Sequence, residues 1–229
     1  MRMWDGLVVA VVLLAGCSDS VPSPKPTEPS ATPSAMAQVE GPPRRILAFG
    51  DSLFAGFRLN DGEGYPERLQ TALRARGINA TLIDAGVSGD TSAAARQRLD
   101  FVLGSLDAPP DLALVELGGN DLLRGISPEE TRENLAAILA ALRERDIPVL
   151  LMGMRAPPNL GEDYIAAFDG MYRDLAARND ARLVPFFLEP IYDKPALLQQ
   201  DHIHPTAQGV DALVAATVDD VADALPKAS

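Results

Sequence analysis

The sequence predicts a three-layer α/β/α domain around a parallel sheet of about five strands. Behind residue 43, apolar runs of strand length alternate with amphipathic stretches of helix length, the pattern of βα units whose sheet is covered on both faces. Composition agrees, because 229 residues with 47% hydrophobic and 23% charged side chains supply enough apolar material for one sizeable core. Each segment with recognisable chemistry also falls just behind a predicted strand, at the sheet edge where such folds build their sites.

The first residues stand apart from that pattern. Residues 1–16 read as a secretory signal, with Arg2 ahead of the apolar run 7–14, which is too short to span a bilayer. The run ends Leu14, Ala15, Gly16, Cys17 and resembles the bacterial lipobox, which implies cleavage before Cys17 and lipid on that residue. Cys17 is the only cysteine, so an intrachain disulfide is excluded. Acyl chains on Cys17 imply a membrane partner and an extracytoplasmic, anchored protein. Ser18 rather than Asp behind it resembles the outer-membrane sorting pattern. Residues 17–43 form a tether rich in Pro and Ser (Pro22, Pro24, Pro26, Pro29, Pro33, Pro42, Pro43), with too little apolar surface to order itself.

The folded domain is then 44–229. Residues 45–49 read as the first strand, 67–75 as a helix, 80–84 as the second strand, 93–102 as a helix and 112–117 as the third strand. Ser127 before Pro128 signals a helix start, and Leu135, Ile138, Leu139 and Leu142 give that helix its apolar face. Residues 147–152 and 182–187 supply the fourth and fifth strands around a helix at 164–177, and 206–224 forms the last helix. The acidic pairs Glu129/Glu130 and Asp219/Asp220 fall on solvated helix faces.

A net charge of −12 excludes nucleic-acid binding through clustered Lys and Arg. With no HExxH, CxxC or Asp-rich calcium loop, no metal and no cofactor are expected. What remains is side-chain chemistry. Ser52 follows a buried strand within Gly50-Asp51-Ser52-Leu53, where Gly50 allows a tight path and Asp51 supports the turn or the site's hydrogen bonds. A serine hydroxyl needs a base, and the chain has two histidines, His202 and His204. His204 is favoured because Asp201 lies three residues earlier, within reach of its imidazole through one turn, and Pro205 restricts its backbone. Three donors at strand ends suit an oxyanion: the N–H of Ser52, the N–H of Gly89 and the side-chain amide of Asn120.

The blocks GDSL (50–53), VSGDTS (87–92), LGGND (117–121) and DHIHP (201–205) resemble the four signature blocks of the SGNH or GDSL hydrolase superfamily, whose fold is flavodoxin-like. That resemblance implies Ser52 as nucleophile, Gly89 and Asn120 as oxyanion donors, His204 as base and Asp201 as its orienting acid. Stretches 61–66, 116–125, 152–161 and 183–189 are similar to the arylesterase, thioesterase and lysophospholipase branch, which implies a small-molecule acyl ester as substrate. Leu122 and Leu160 depart from that branch, where Gly and an aromatic residue are frequent. Leu122, Leu123 and Leu160 are the expected acyl contacts. Two other readings stay open, a carbohydrate or cell-wall O-acetyl esterase and a surface lipoprotein that binds acyl ligands without turnover.

Overall fold

The computed structural model describes residues 39–227. The signal segment, Cys17 and most of the tether fall outside the described residues, while 39–43 lead into the first strand without regular secondary structure. The chain is read from there as one domain.

Strand β1 (Arg44–Gly50) pairs in parallel with β2 (Ala80–Gly86) on one side and β3 (Leu112–Glu116) on the other. Strands β4 (Val149–Met152) and β5 (Arg182–Val184) extend the sheet to the order β2-β1-β3-β4-β5. The sequence explains who sits in the middle. Ile46 to Phe49, all of β3 and all of β4 are buried, as continuous apolar runs must be in a sheet covered on both faces, whereas edge strand β2 is half-exposed. Helix α1 (Tyr65–Ala75) packs on α6 (Ala207–Ala224), and α2 (Ser92–Gly104) packs on α4 (Pro128–Arg143), which packs on α5 (Glu162–Arg178). The α/β/α layering and the five parallel strands are those the sequence predicts.

Helix starts follow local chemistry. Thr91, Ser127 and Thr206 each cap a helix through the side-chain oxygen, accepting from Ala94, Glu130 and Gly209 N–H groups. Thr206 is therefore a cap, and the last helix begins one residue later than its predicted start. Two strands are shorter than the apolar pattern suggests. Pro148 delays β4 to Val149 and Pro185 ends β5 at Val184, since proline has no N–H to give a ladder. Pairing nevertheless continues irregularly past β5, with Gly153 N–H on Val184 O and Phe187 N–H on Gly153 O. The acidic pairs on α4 and α6 are exposed, as predicted.

An aromatic cluster joins the turn behind β1 to both ends of the domain. Phe54 stacks on Tyr65 at 5.2 Å, and Phe187 meets both rings edge-on at 5.9 and 5.0 Å. The Tyr65 phenol reaches Thr217 Oγ1 on α6 at 2.7 Å, while Thr217 itself donates to Leu213 O. Tyr65→Phe should therefore lower stability in a urea titration by ~1 kcal/mol, the net worth of one buried hydrogen bond. An unchanged midpoint would show that the phenol contributes nothing to the clamp between α1 and α6.

Candidate active site

The turn after β1 begins with a space restriction. A Cβ on Gly50 would lie 2.8 Å from Phe54 Cδ2 and 2.9 Å from the Glu116 carbonyl oxygen, so close packing, rather than an unusual backbone angle, demands glycine there. Ala55 N–H then closes onto Asp51 O and Phe57 N–H onto Ser52 O. The turn leaves Ser52 only 8% exposed but facing a cavity.

Across that cavity, the loop before α6 delivers the imidazole. His204 Nε2 lies 2.8 Å from Ser52 Oγ, and Nδ1 lies 2.9 Å from Asp201 Oδ2. Asp201 Oδ1 also accepts the N–H groups of Ile203 and His204, both at 3.0 Å. Partial burial opposes the Asp201 charge, but these two N–H bonds and the His204 ring outweigh it and hold its carboxyl at about 2. With Asp201 ionised, Nδ1 carries the proton and Nε2 is left free to accept from Ser52, the arrangement that activates a serine hydroxyl. His202 lines the same cavity on a backbone with φ 57°, and no bond joins its ring to Ser52 or Asp201.

Of the three expected oxyanion donors, Ser52 and Asn120 line the cavity, while Gly89 is not among its lining residues. The N–H groups of Ser52 and Gly89 donate to no other described residue. Gly89 has φ 87°, which favours glycine, and its carbonyl is held by Arg124 Nη2 at 2.7 Å. Asn120 lies in a short helix, α3 (Gly119–Leu123), and one of its amide hydrogens binds Asp51 Oδ2 at 2.9 Å, which leaves the other for a ligand.

The cavity has a volume of about 310 Å³ and mostly apolar walls, including Leu122, Leu123, Met154, Phe186, Leu188 and Ile191. Arg155 is the one Lys or Arg among its lining residues, and it stacks over Phe186 at 5.0 Å. Leu122 and Leu123, two of the three expected acyl contacts, thus line the cavity that Ser52 faces. Leu160 is not among the lining residues; it ends a 3-10 turn, Pro158–Leu160, and is 41% exposed. Among the described residues no cluster of His, Cys, Asp and Glu is placed to hold a metal ion.

The profile of the GDSL-like Lipase/Acylhydrolase family matches residues 48–212, from β1 into α6. The chain belongs to this family. The Esterase TesA of Pseudomonas aeruginosa is 40% identical over 160 residues, covering 70% of this chain and 79% of that protein. The Thioesterase 1/protease 1/lysophospholipase L1 of Escherichia coli K12 is 39% identical over 160 residues, covering 70% and 74%. A solved SGNH-hydrolase family esterase, AlinE4, is 63% identical with a TM-score of 0.69, covering 82% of this chain and 99% of its own. This GDSL-like hydrolase is accordingly a carboxylic ester hydrolase.

Several residues that shape the site of this GDSL-like hydrolase escape a sequence reading. Gln199 ties the His204 loop to the Ser52 turn: its amide donates to Phe57 O at 2.8 Å and Pro205 O at 2.9 Å, and its N–H donates to His204 O. The Phe57 ring lies 4.4 Å from the imidazole of His204. Arg98 binds both Gly50 O and Asp90, while buried Asp121 accepts from Ser92 N–H, Ser92 Oγ and Thr131 Oγ1. Asp51 does support both the turn and the site, accepting Leu53 N–H as well as Asn120. The ties of Gln199 to Phe57, Arg98 to Gly50 and Asp121 to Ser92 span 142, 48 and 29 positions, beyond the reach of a local sequence pattern.

Because the folded value of Asp201 lies below its ordinary 3.8, its contact adds stability above that pH and loses it as pH falls through about 2. A carboxyl NMR titration should place the Asp201 midpoint near 2. A midpoint at or above 3.8 would mean that the turn does not hold the carboxylate in solution.

Proposed function

We propose that this chain cleaves carboxylic esters through an acyl-enzyme formed on Ser52. The supporting observation is the unbroken hydrogen-bond chain from Ser52 through His204 to Asp201 beside an apolar cavity. His204 Nε2 takes the Ser52 proton as Oγ attacks the substrate carbonyl, and Asp201 stabilises the imidazolium. The N–H groups of Ser52 and Gly89 and the Asn120 amide receive the negative oxygen. His204 returns the proton to the departing alcohol, and water, deprotonated by the same imidazole, then releases the acid and restores Ser52.

The cavity size and the Leu122, Leu123 and Phe186 walls favour aryl esters and short-to-medium acyl chains. Thioesters and lysophospholipids are included in the proposed range because a relative 39% identical bears those activities in its name. A carbohydrate O-acetyl esterase needs polar groups for its sugar, and these walls offer few. The Ser52–His204 bond weighs against a binding protein without turnover. Ser52→Ala should lower kcat on a p-nitrophenyl ester by at least ~10⁴-fold, with His204→Ala nearly as damaging and His202→Ala far milder. Wild-type turnover by Ser52→Ala would end this mechanism.

We also propose that lipid on Cys17 holds the enzyme outside the cytoplasm, with residues 18–43 as spacer to β1. No helix among the described residues is long and apolar enough to cross a membrane. Cys17→Ser should move the full chain from the membrane pellet to the soluble fraction of a bacterial host. Retention in the pellet would contradict the anchor.

A further inference from the structure

Beneath the nucleophile turn lie two carboxyl groups to which the proposed hydrolysis assigns no step. Glu116 ends β3 and is 0% exposed, and Asp51 is 2% exposed. Neither takes part in an ion pair among the described residues. The two groups are neighbours, with Glu116 Oε2 lying 3.4 Å from Asp51 N, and two charged carboxylates so placed would repel each other in a dry interior.

The partners decide which group is neutral. Asp51 is well supplied as an anion, with Leu53 N–H at 3.0 Å on Oδ1 and Asn120 Nδ2 at 2.9 Å on Oδ2. Glu116 Oε2 accepts only a long bond of 3.4 Å from Asp51 N–H, and Oε1 has no partner among the described residues. An unsupplied carboxylate with no water access carries the penalty of a buried unpaired ion, whereas a neutral acid there gains an acceptor. The proton belongs on Glu116.

We propose that Glu116 is a positioning residue. As a neutral acid it donates to the Asp51 carboxylate, and Asp51 holds the Asn120 amide so that its second N–H meets the developing oxyanion. Burial first, and then the Asp51 charge, push the Glu116 carboxyl well above the ordinary carboxylate range, in the direction this arrangement needs. The geometry also accounts for Gly50, since a Cβ there would press on Glu116 Oε2 at 3.1 Å as well as on its carbonyl. Glu116 thereby sets the angle of a donor that it does not touch. The inference rests on Asn120 being an oxyanion donor.

Glu116→Met, Glu116→Gln, Asn120→Ala and the Asn120→Ala/Glu116→Met double variant of the full chain test it, with kcat and KM measured on a p-nitrophenyl ester. Glu116→Met should lower kcat ~10²-fold, the usual effect of disabling one oxyanion donor, with KM within about twofold. Glu116→Gln, whose amide can replace the acid as donor to Asp51, should stay within about fivefold of wild type. On the Asn120→Ala background Glu116→Met should add no further loss, because groups acting through one another are not additive. Wild-type kcat for Glu116→Met, a Gln variant as slow as the Met variant, or fully multiplicative losses in the double variant would each overturn the inference. Wild-type turnover by Asn120→Ala would instead overturn the reading of the oxyanion site. Should Glu116→Met fail to fold, infrared difference spectra of wild type against Glu116→Gln at neutral pH still decide: a carboxylic-acid carbonyl band lost in the variant is expected, and its absence from wild type refutes the neutral acid.

Discussion

The parallel register of β1 with both its neighbours governs this site. The ladder runs to the last residue, pairing Gly50 with Gly86 of β2 and with Glu116 of β3. Strands β2 and β3 leave β1 on opposite sides, so their outgoing loops diverge and open a crevice where the strand order switches. Ser52 turns into that crevice, Gly89 follows β2 and Asn120 follows β3. The register that builds the core thus also sets the spacing of Ser52, Gly89 and Asn120, the proposed nucleophile and oxyanion donors. It leaves no room for a side chain on Gly50, as the contacts with Phe54 and Glu116 show.

Strand ends alone do not fix loops to the tolerance that catalysis requires. Here the loops are locked by side chains that bind backbone atoms of other loops. Arg98 holds the carbonyl at the end of β1, Arg124 holds that of Gly89, and Gln199 joins the His204 loop to the Ser52 turn. Each tie fixes a loop carbonyl near the site, and that of Gly50 accepts Val87 N–H as well as Arg98. The result is a set of donors oriented before substrate arrives, which is the condition for stabilising charge without reorganisation. The apolar walls of the cavity keep the dielectric low around the Ser52–His204 bond and strengthen it. The same low dielectric makes the Asp51–Glu116 pair tolerable only with Glu116 as the neutral acid.

Much of this was legible in the sequence because it rests on local chemistry. The apolar runs 45–49 and 112–117 declare central strands, Ser127-Pro128 declares a helix start, and the Asp201–His204 spacing declares a turn that closes on its own carboxylate. Boundaries failed where a proline cut an apolar run, at Pro148 and Pro185. The helix at Asn120 was hidden by two glycines that discourage helix locally. Its entry is set instead by Gly118, with φ 111° and a Tyr172 hydroxyl where a Cβ would stand. Leu160 is expected as an acyl contact because stretch 152–161 resembles a loop with which that branch contacts acyl chains, yet the 3-10 turn that carries it does not line the cavity.

The sequence by itself therefore determined the layers, the order of the βα units and the residue types able to do the chemistry, since periodicity and turn chemistry act within a few residues. Tertiary structure alone decided that Ser52 and His204 meet across 152 positions, which walls an acyl chain would touch, and that Asp51 and Glu116 share one buried site. Those outcomes depend on contacts between segments distant in the chain, whose energies exist only once the sheet has brought them together.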